Sequence, residues 1–432
     1  MKQNSFFILV LLILFSSTLF SILTPMAKEI TLALGLAGEE QVVYINSIFL
    51  IVGAVSSLVW AILGDKFSRK ILLIIATLEW SILTLITTLA TDFYSLLMYQ
   101  LITAVGFGAA IPLTYSLLVD LSDMKERGKK FGLLSAVYVL GNGLGQFLSG
   151  FLIEVCPWIV PFIVVSIGGF VCSILLFTVK EPLRGAKDKL YETLDENLLG
   201  LSLKIRIKDL KEIWKIKSIF LILCFNFAMF IAIGAISSLL ITMLKNDYQF
   251  SSTIATIFLI IIFGSQIPSG PLFGYIGDKS YEKNKKGRMK MVLVCLITGS
   301  LFYIVAFSLV FTSTEILMVI IFLLLTISGA FFFGGIDPLT QATLGEINPP
   351  QIRSTIYSLN YLLTITIGRS ISLLIVGQLF VFFNNQYRPA YVILAIMALL
   401  SNLLLIPIFK FLPRDIDKIK SGQKKEKEVK QE

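Results

Sequence analysis

The sequence predicts an all-α membrane protein with twelve transmembrane helices in two pseudo-symmetric six-helix bundles. Three observations carry this. Hydrophobic residues make up 56% of the 432-residue chain and charged ones 15%, too apolar a balance for a soluble globular protein of this size. Apolar runs of roughly 20 residues follow one another, each the length a helix needs to cross a hydrocarbon core. One short stretch also occurs twice, as Ala61-Ile62-Leu63-Gly64-Asp65-Lys66-Phe67-Ser68-Arg69-Lys70 and, close to half a chain length later, as Gly274-Tyr275-Ile276-Gly277-Asp278-Lys279. Each copy stands between the second and third apolar runs of its half, as duplication of one helical unit requires.

In order, the runs fall near 5–27, 41–63, 71–90, 94–119, 131–155, 159–179, 218–243, 251–276, 291–312, 316–343, 354–380 and 389–410, numbered below as spans 1 to 12. The first is nearer a full span than a signal-peptide core, and no small-residue cleavage site follows it. The expected organisation is a bundle over 1–180, a linker over 181–217, a second bundle over 218–413 and a basic tail over 414–432. Within the linker, Leu203 to Trp214 mixes bases with bulky apolar residues, the pattern of a helix lying on a membrane face.

Orientation follows from the bases, because cytoplasmic loops retain Lys and Arg. One set of loops holds Lys66, Arg69, Lys70, Lys125, Arg127, Lys129 and Lys130, ten bases from Lys180 to Lys217 and six from Lys279 to Lys290; the other holds Lys28, Lys245 and Arg388. Both termini are then expected in the cytoplasm of a cell whose inner membrane the chain crosses. This asymmetry and the tail bases Lys424, Lys425, Lys427 and Lys430 account for the net charge of +9. Membrane lipid headgroups, rather than nucleic acid, are the expected partners of these loops.

Several chemistries find no residues to carry them. Histidine is absent, and the four cysteines, Cys156, Cys172, Cys224 and Cys295, are scattered singly through apolar runs, so they read as membrane-packed side chains. No glycine-rich phosphate cradle, metal-ligand spacing or nucleophile with its base is present, so no enzyme, cofactor or metal site is expected.

Twelve spans arranged six and six, a long central loop and the duplicated hairpin together resemble the major facilitator superfamily of secondary transporters. The resemblance implies alternating access, with the hairpin acids and bases bonding across the halves on the cytoplasmic side. Carried over, Asp65 pairs with Lys66, Arg69 and Lys70, and Asp278 with Lys279. Ala61 and Ser68 stand where the pattern usually has glycine. Read from the residues alone, an aspartate at a helix end can accept from exposed N–H groups at a neighbouring helix N-terminus, contributing roughly 0.3–1 kcal/mol. Asp120 precedes Arg127, and Glu346 precedes Arg353, by the same seven-residue interval; both pairs are expected in the same network.

Span 5 carries Gly141-Asn142-Gly143-Leu144-Gly145-Gln146, and close glycines let helices approach and slide. The run is similar to the glycine-rich fifth helix of the superfamily's exporters, which usually has proline where Gln146 stands. Charges at membrane depth are costly and so mark candidate sites; they are Glu79, Asp337 and Arg369. By the resemblance, spans 1, 4, 7 and 10 line a central cavity. Asp337, in Gly334-Gly335-Ile336-Asp337-Pro338, is the foremost candidate for solute or a coupling ion, H+ or Na+. Arg369 suits an anionic group, and at about 12 Å from Asp337 in depth the two are too far apart to bond directly. Glu79 is expected to face a neighbouring helix. Uncharged candidates are Gln100, Asn142, Gln146, Asn226, Gln266, Gln341 and Asn360. Span 1 offers no ionisable residue, and Ile102 stands where many proton-coupled members carry arginine.

Glu181-Pro182-Leu183-Arg184-Gly185, Lys286-Gly287-Arg288 and Asn348-Pro349-Pro350, leading to Ile367-Gly368-Arg369, are similar to the spinster-type branch, associated with lysolipids and sphingolipids. The expected function is transport of a small, amphipathic or lipid-like solute by a monomer. A multidrug or metabolite exporter, or a lipid scramblase or sensor without coupling, are the alternatives.

Overall fold

In hydrocarbon every backbone N–H and C=O must find its partner within its own segment, so the apolar runs become helices. The computed structural model describes residues 2–152, 156–185, 216–349 and 352–431, and among these there are no strands. Eleven helices are long and apolar enough to cross a membrane, and the shorter Val160–Leu176 completes twelve spans.

In the first half, span 1 is Lys2–Ile22, extended by short helices to Leu34; span 2 is Glu39–Lys66; span 3 is Arg69–Ile86; and span 4 is Phe93–Phe107 with Ala110–Leu121. Span 5 is Arg127–Leu152 and span 6 Val160–Leu176. In the second half, span 7 is Lys217–Tyr248, span 8 Ser252–Gly264 with Gln266–Lys283, span 9 Gly287–Ser308, and span 10 Ile316–Phe333 with Ile336–Ile347. Span 11 is Arg353–Tyr361, a π-helical stretch Leu362–Gly368, and Arg369–Phe382; span 12 is Arg388–Leu400 continuing through Leu405–Gln431.

Helices overrun the apolar runs mainly at the face bearing the basic loops. Span 8 reaches Lys283, and spans 5, 9 and 11 open at or just before Arg127, Arg288 and Arg353. Charge ends an apolar run without ending the helix, because lysine, arginine and glutamate are good helix formers. For the same reason the last helix passes through Pro413 and runs to Gln431. The Leu203–Trp214 segment lies outside the described residues.

Spans 4 and 10 break at matching places, around Gly108-Ala109 and Gly334-Gly335. One apolar core fills the first half; a second fills the other half and reaches across to Tyr115, Phe131 and Leu134. Two glycine contacts bring helices together. In the first half, Gly141 and Gly145 of span 5 lie on Ser17 and Ser21 of span 1, and Ser21 Oγ donates to the Asn142 carbonyl at 2.9 Å. Between the halves, Gly128 and Gly132 of span 5 cross Gly274 and Gly270 of span 8, backbone on backbone.

A Cβ on Gly132 would stand 2.2 Å from the Gly270 carbonyl oxygen, too close for any side chain. Gly132→Val is therefore expected to force the halves apart at the basic face. A single cysteine at Ser135, in a background lacking the four native cysteines, should then react faster with an impermeant maleimide added from that face.

Candidate functional site

Asp65 stands in the last turn of span 2, where Gly64 lets the helix pass close to Leu113: a Cβ there would lie 2.1 Å from that side chain. Asp65 is buried, and its carboxylate accepts from the backbone N–H groups of Ser354 and Thr355, both at 2.9 Å, and from Thr355 Oγ1 at 2.6 Å. These donors are the first turn of span 11, so a carboxylate of the first half caps a helix of the second. The second copy does the reverse. Asp278 accepts from the N–H groups of Gly128 at 3.0 Å and Lys129 at 2.9 Å, the first turn of span 5. Helix N-termini favour negative charge through unpaired N–H groups and the helix dipole, by up to about 2 kcal/mol where partly buried.

Behind these caps lie buried ion pairs. Arg69 opens span 3 and donates to Asp120, at the end of span 4, at 2.6 Å; Arg288 opens span 9 and reaches Glu346, at the end of span 10, at 3.3 Å. Arg288 also holds Asp278 at 2.7 Å and the Met124 carbonyl across the halves. Arg353 crosses to Asp120. Arg127 donates to the carbonyls of Val119, at 3.2 Å, and Gly345, at 3.5 Å.

Several expected partnerships are corrected. Asp65 does not pair with Lys66, Arg69 or Lys70: Lys66 is exposed, Lys70 donates to the Phe177 carbonyl at 2.7 Å, and Arg69 turns to Asp120 and Glu181. The chain reverses between Lys66 and Arg69, which aims the two sides of the hairpin at different neighbours. Lys279 is likewise exposed, 5.1 Å from the Tyr275 ring, and Arg288 takes the place expected of it. The residues of the matched seven-residue intervals all lie in this network, but by other partners: Arg353 spans the halves to Asp120, Glu346 meets Arg288, and Arg127 bonds backbone carbonyls.

Sequence reasoning passed over Glu181, Arg184 and Arg288 as parts of this network. Glu181 accepts from Ser68 Oγ and from the Arg69 N–H at 2.9 Å, capping span 3. Burial works against its charge, yet the bonds from Ser68 and Arg69 outweigh it and hold the carboxyl below the ordinary glutamate range. Arg184 donates to the carbonyls of Gly64 at 2.6 Å and Phe67 at 2.8 Å, and the Gly185 N–H reaches Asp120 at 3.0 Å. The available signal was the charged run Glu181 to Gly185 directly after span 6, read there only as a branch resemblance.

Toward mid-membrane, Asp337 follows the break in span 10 and accepts from Ser135 Oγ of span 5 at 3.0 Å and from Gln341 Nε2 at 2.9 Å. Arg369 follows the π-helical stretch and donates to Ser238 Oγ of span 7 at 2.8 Å, so it does not meet Asp337. Gln341 thus joins the candidate site, and Gln266 packs on Gly334 at the same break. Gln146 is exposed, and Asn142 bonds the Tyr138 carbonyl of its own helix at 3.0 Å. Asn226 and Asn360 are buried against each other at 2.8 Å. Gln100 is corrected as a lining residue: it bonds Thr87 Oγ1 at 3.1 Å, at the far end of span 3.

Among the described residues, hydrogen bonds between the halves run from the basic loops to the level of Ser135–Asp337 and Ser57–Ser358, the last at 2.8 Å. Beyond that level Gly143 of span 5 and Gly264 of span 8 have nothing within 4 Å of where a Cβ would stand.

Two duplicated helical bundles, latched at one face and bearing charged groups at mid-depth, define a polytopic membrane protein of the carrier class. The sequence profile of the Major Facilitator Superfamily matches residues 6–372 and again 286–432, and the chain belongs to that family. Multidrug resistance protein 2 of Bacillus subtilis is 27% identical over 66% of this chain and 66% of its own length. The MFS-type transporter ppz2 of Metarhizium majus is 31% identical over 38% of this chain and 28% of its own length. These matches cover less than two thirds of either relative. The proton:xylose symporter XylE has the same fold, with TM-score 0.70 at 16% identity over 95% of this chain and 96% of that one. So does the human organic anion transporter MFSD10, with TM-score 0.69 at 14% identity over 94% of this chain and 99% of that one.

Asp120 holds two buried guanidiniums, Arg69 and Arg353, so Asp120→Asn leaves both short of countercharge. Breaking a buried pair in this way costs about 3–5 kcal/mol, and a marked fall in Tm of the detergent-purified protein is expected. Asp65→Asn keeps the shape but weakens one cap; it should lower Tm far less.

Proposed function

We propose that this chain is a secondary transporter that carries a small organic, amphipathic or lipid-like solute across the cell membrane by alternating access. The observation that carries the reading is the placement of the cross-half bonds. They gather toward the basic face and end at mid-depth, as a carrier closed on one side needs. Asp65 and Asp278, with Arg69, Arg127, Arg288, Arg353, Asp120 and Glu346, form its gate on that face, which we take as cytoplasmic with both termini. The caps suit gating because each is worth only a kcal/mol or two, so a cycle can make and break them.

Asp337 is the group we assign to solute or to a coupling ion, H+ or Na+. It stands beside a helix break, and its neutral donors Ser135 and Gln341 can be exchanged for a ligand. Arg369 lies nearer the open side, where it can meet an anionic group. With few charges in the path, the cavity suits an amphipathic solute, as in the spinster-like branch, working as a monomer. Kinship with a multidrug resistance protein supports a second reading, export of hydrophobic drugs. A scramblase has no use for a duplicated latch.

Reconstituted protein is expected to accumulate labelled lysolipid or a lipophilic dye only under an imposed H+ or Na+ gradient. Asp337→Asn should lower gradient-driven uptake at least about tenfold, the equivalent of one charge-assisted bond. Uptake without any gradient would favour the scramblase, and full activity in Asp337→Asn would remove the assignment of that residue.

A further inference from the structure

We propose that Glu79 is a proton-binding site set apart from the solute path, and that its proton occupancy is tied to the conformation of span 4 at its break. The inference rests on the transporter reading only for the movement of span 4.

Glu79 lies ten residues into span 3 from Arg69, about 15 Å from the basic face by helix rise. Both carboxyl oxygens are shut off from solvent and no side chain bonds them; the one polar group turned toward the carboxyl is the Gly106 backbone N–H of span 4. Its Oε2 sits 1.6 Å from the place a Gly106 Cβ would occupy, and the Ala76 carbonyl lies 2.6 Å from the same point. Residue 106 is glycine because the carboxyl fills the space of a side chain.

No charge on a neighbouring element compensates Glu79. Span 3 packs against spans 2, 4 and 6. The charges of span 2 stand at its ends, with Asp65 and Lys66 at the basic one; span 4 has Asp120 at its basic end, with Asp92 capping the other; span 6 has none; and Arg69 and Lys70 open span 3 itself. An ionised carboxylate with no countercharge and at most one backbone donor is strongly disfavoured at this depth, whereas the protonated acid is neutral. In this form of the protein the group holds its proton.

Packing does not require an acid here. Counted from Arg69 and Arg288, the counterpart of Glu79 in the second half is Thr298; counted from Asp120 and Glu346, that of Gly106 is Phe332. That half fills the equivalent space with an aromatic contact, Phe302 on Phe332 with centroids 6.1 Å apart. The break in span 4 begins two residues past Gly106, with the Gly108 N–H on the Ala104 carbonyl at 3.2 Å and the Ala109 N–H on that of Gly106 at 3.1 Å. When span 4 moves at this break, the carboxyl meets freed N–H groups or water and can ionise.

N,N′-dicyclohexylcarbodiimide adds to protonated carboxyls in apolar surroundings and leaves a stable acylurea that peptide mass spectrometry locates. On full-length protein in liposomes, Glu79 is expected to be labelled near neutral pH. Labelling of Glu79 should fall at least fivefold in Gly132→Val, opened at the basic face. Glu79→Gln should keep solute exchange while losing dependence on a pH gradient, and Glu79→Asp should restore part of that dependence. An unlabelled Glu79 at about pH 6, or the same labelling in Gly132→Val, overturns the proposal. Wild-type protein that carries no solute but labels as expected overturns the transport reading and leaves the proton site standing.

Discussion

Two buried carboxylates join the two halves of this architecture at one face. Asp65 caps span 11 and Asp278 caps span 5, each from the opposite half. A carboxylate is suited to this task because it accepts several N–H bonds at once and complements the positive end of a helix. The caps also fix the approach of the halves, since four of their donors are backbone N–H groups. Spans 5 and 8 can come that close only because Gly128, Gly132, Gly270 and Gly274 bring no side chains to the crossing.

The two copies of the latch are equivalent in geometry and unequal in charge. Asp278 is neutralised directly by Arg288 at 2.7 Å, whereas Asp65 has Arg184 at 3.9 Å. Arg69, the counterpart of Arg288, is turned instead to Asp120 and Glu181. The Glu181–Gly185 segment therefore supplies charge to the first half from outside its hairpin, and ties the ends of spans 2, 3 and 4 together. Asp120 joins both systems, since it takes Arg69 from its own half and Arg353 from the other.

Away from the latch the duplication loosens. Spans 4 and 10 break at the same level, but only the second copy places an acid, Asp337, just past the break on the helix itself. The first copy places its acid, Glu79, on the neighbouring span. Among the described residues, span 11 alone widens into a π-helical stretch, directly ahead of Arg369. Such stretches are uncommon and tend to lie at functional positions.

Membrane residence, the number and order of spans and the duplication were legible in the sequence because each rests on local apolar length or on a repeated string. The charged candidates Asp65, Asp278, Asp120, Glu346 and Arg353 were legible for a related reason: charge is rare next to hydrocarbon. Their partners were not. Lys66 and Lys279 adjoin the aspartates in sequence yet face outward, while Ser354, Thr355, Gly128 and Lys129 lie far along the chain and offer mainly backbone N–H groups, which no side-chain pattern records. Gln100 and Asn226 show the same limit, since a polar residue in an apolar run has no readable direction until its helix is packed. Sequence alone determined what must lie in the membrane and which charges needed a reason; tertiary structure decided which atoms answer them, because helix ends meet across halves through contacts that linear spacing does not encode.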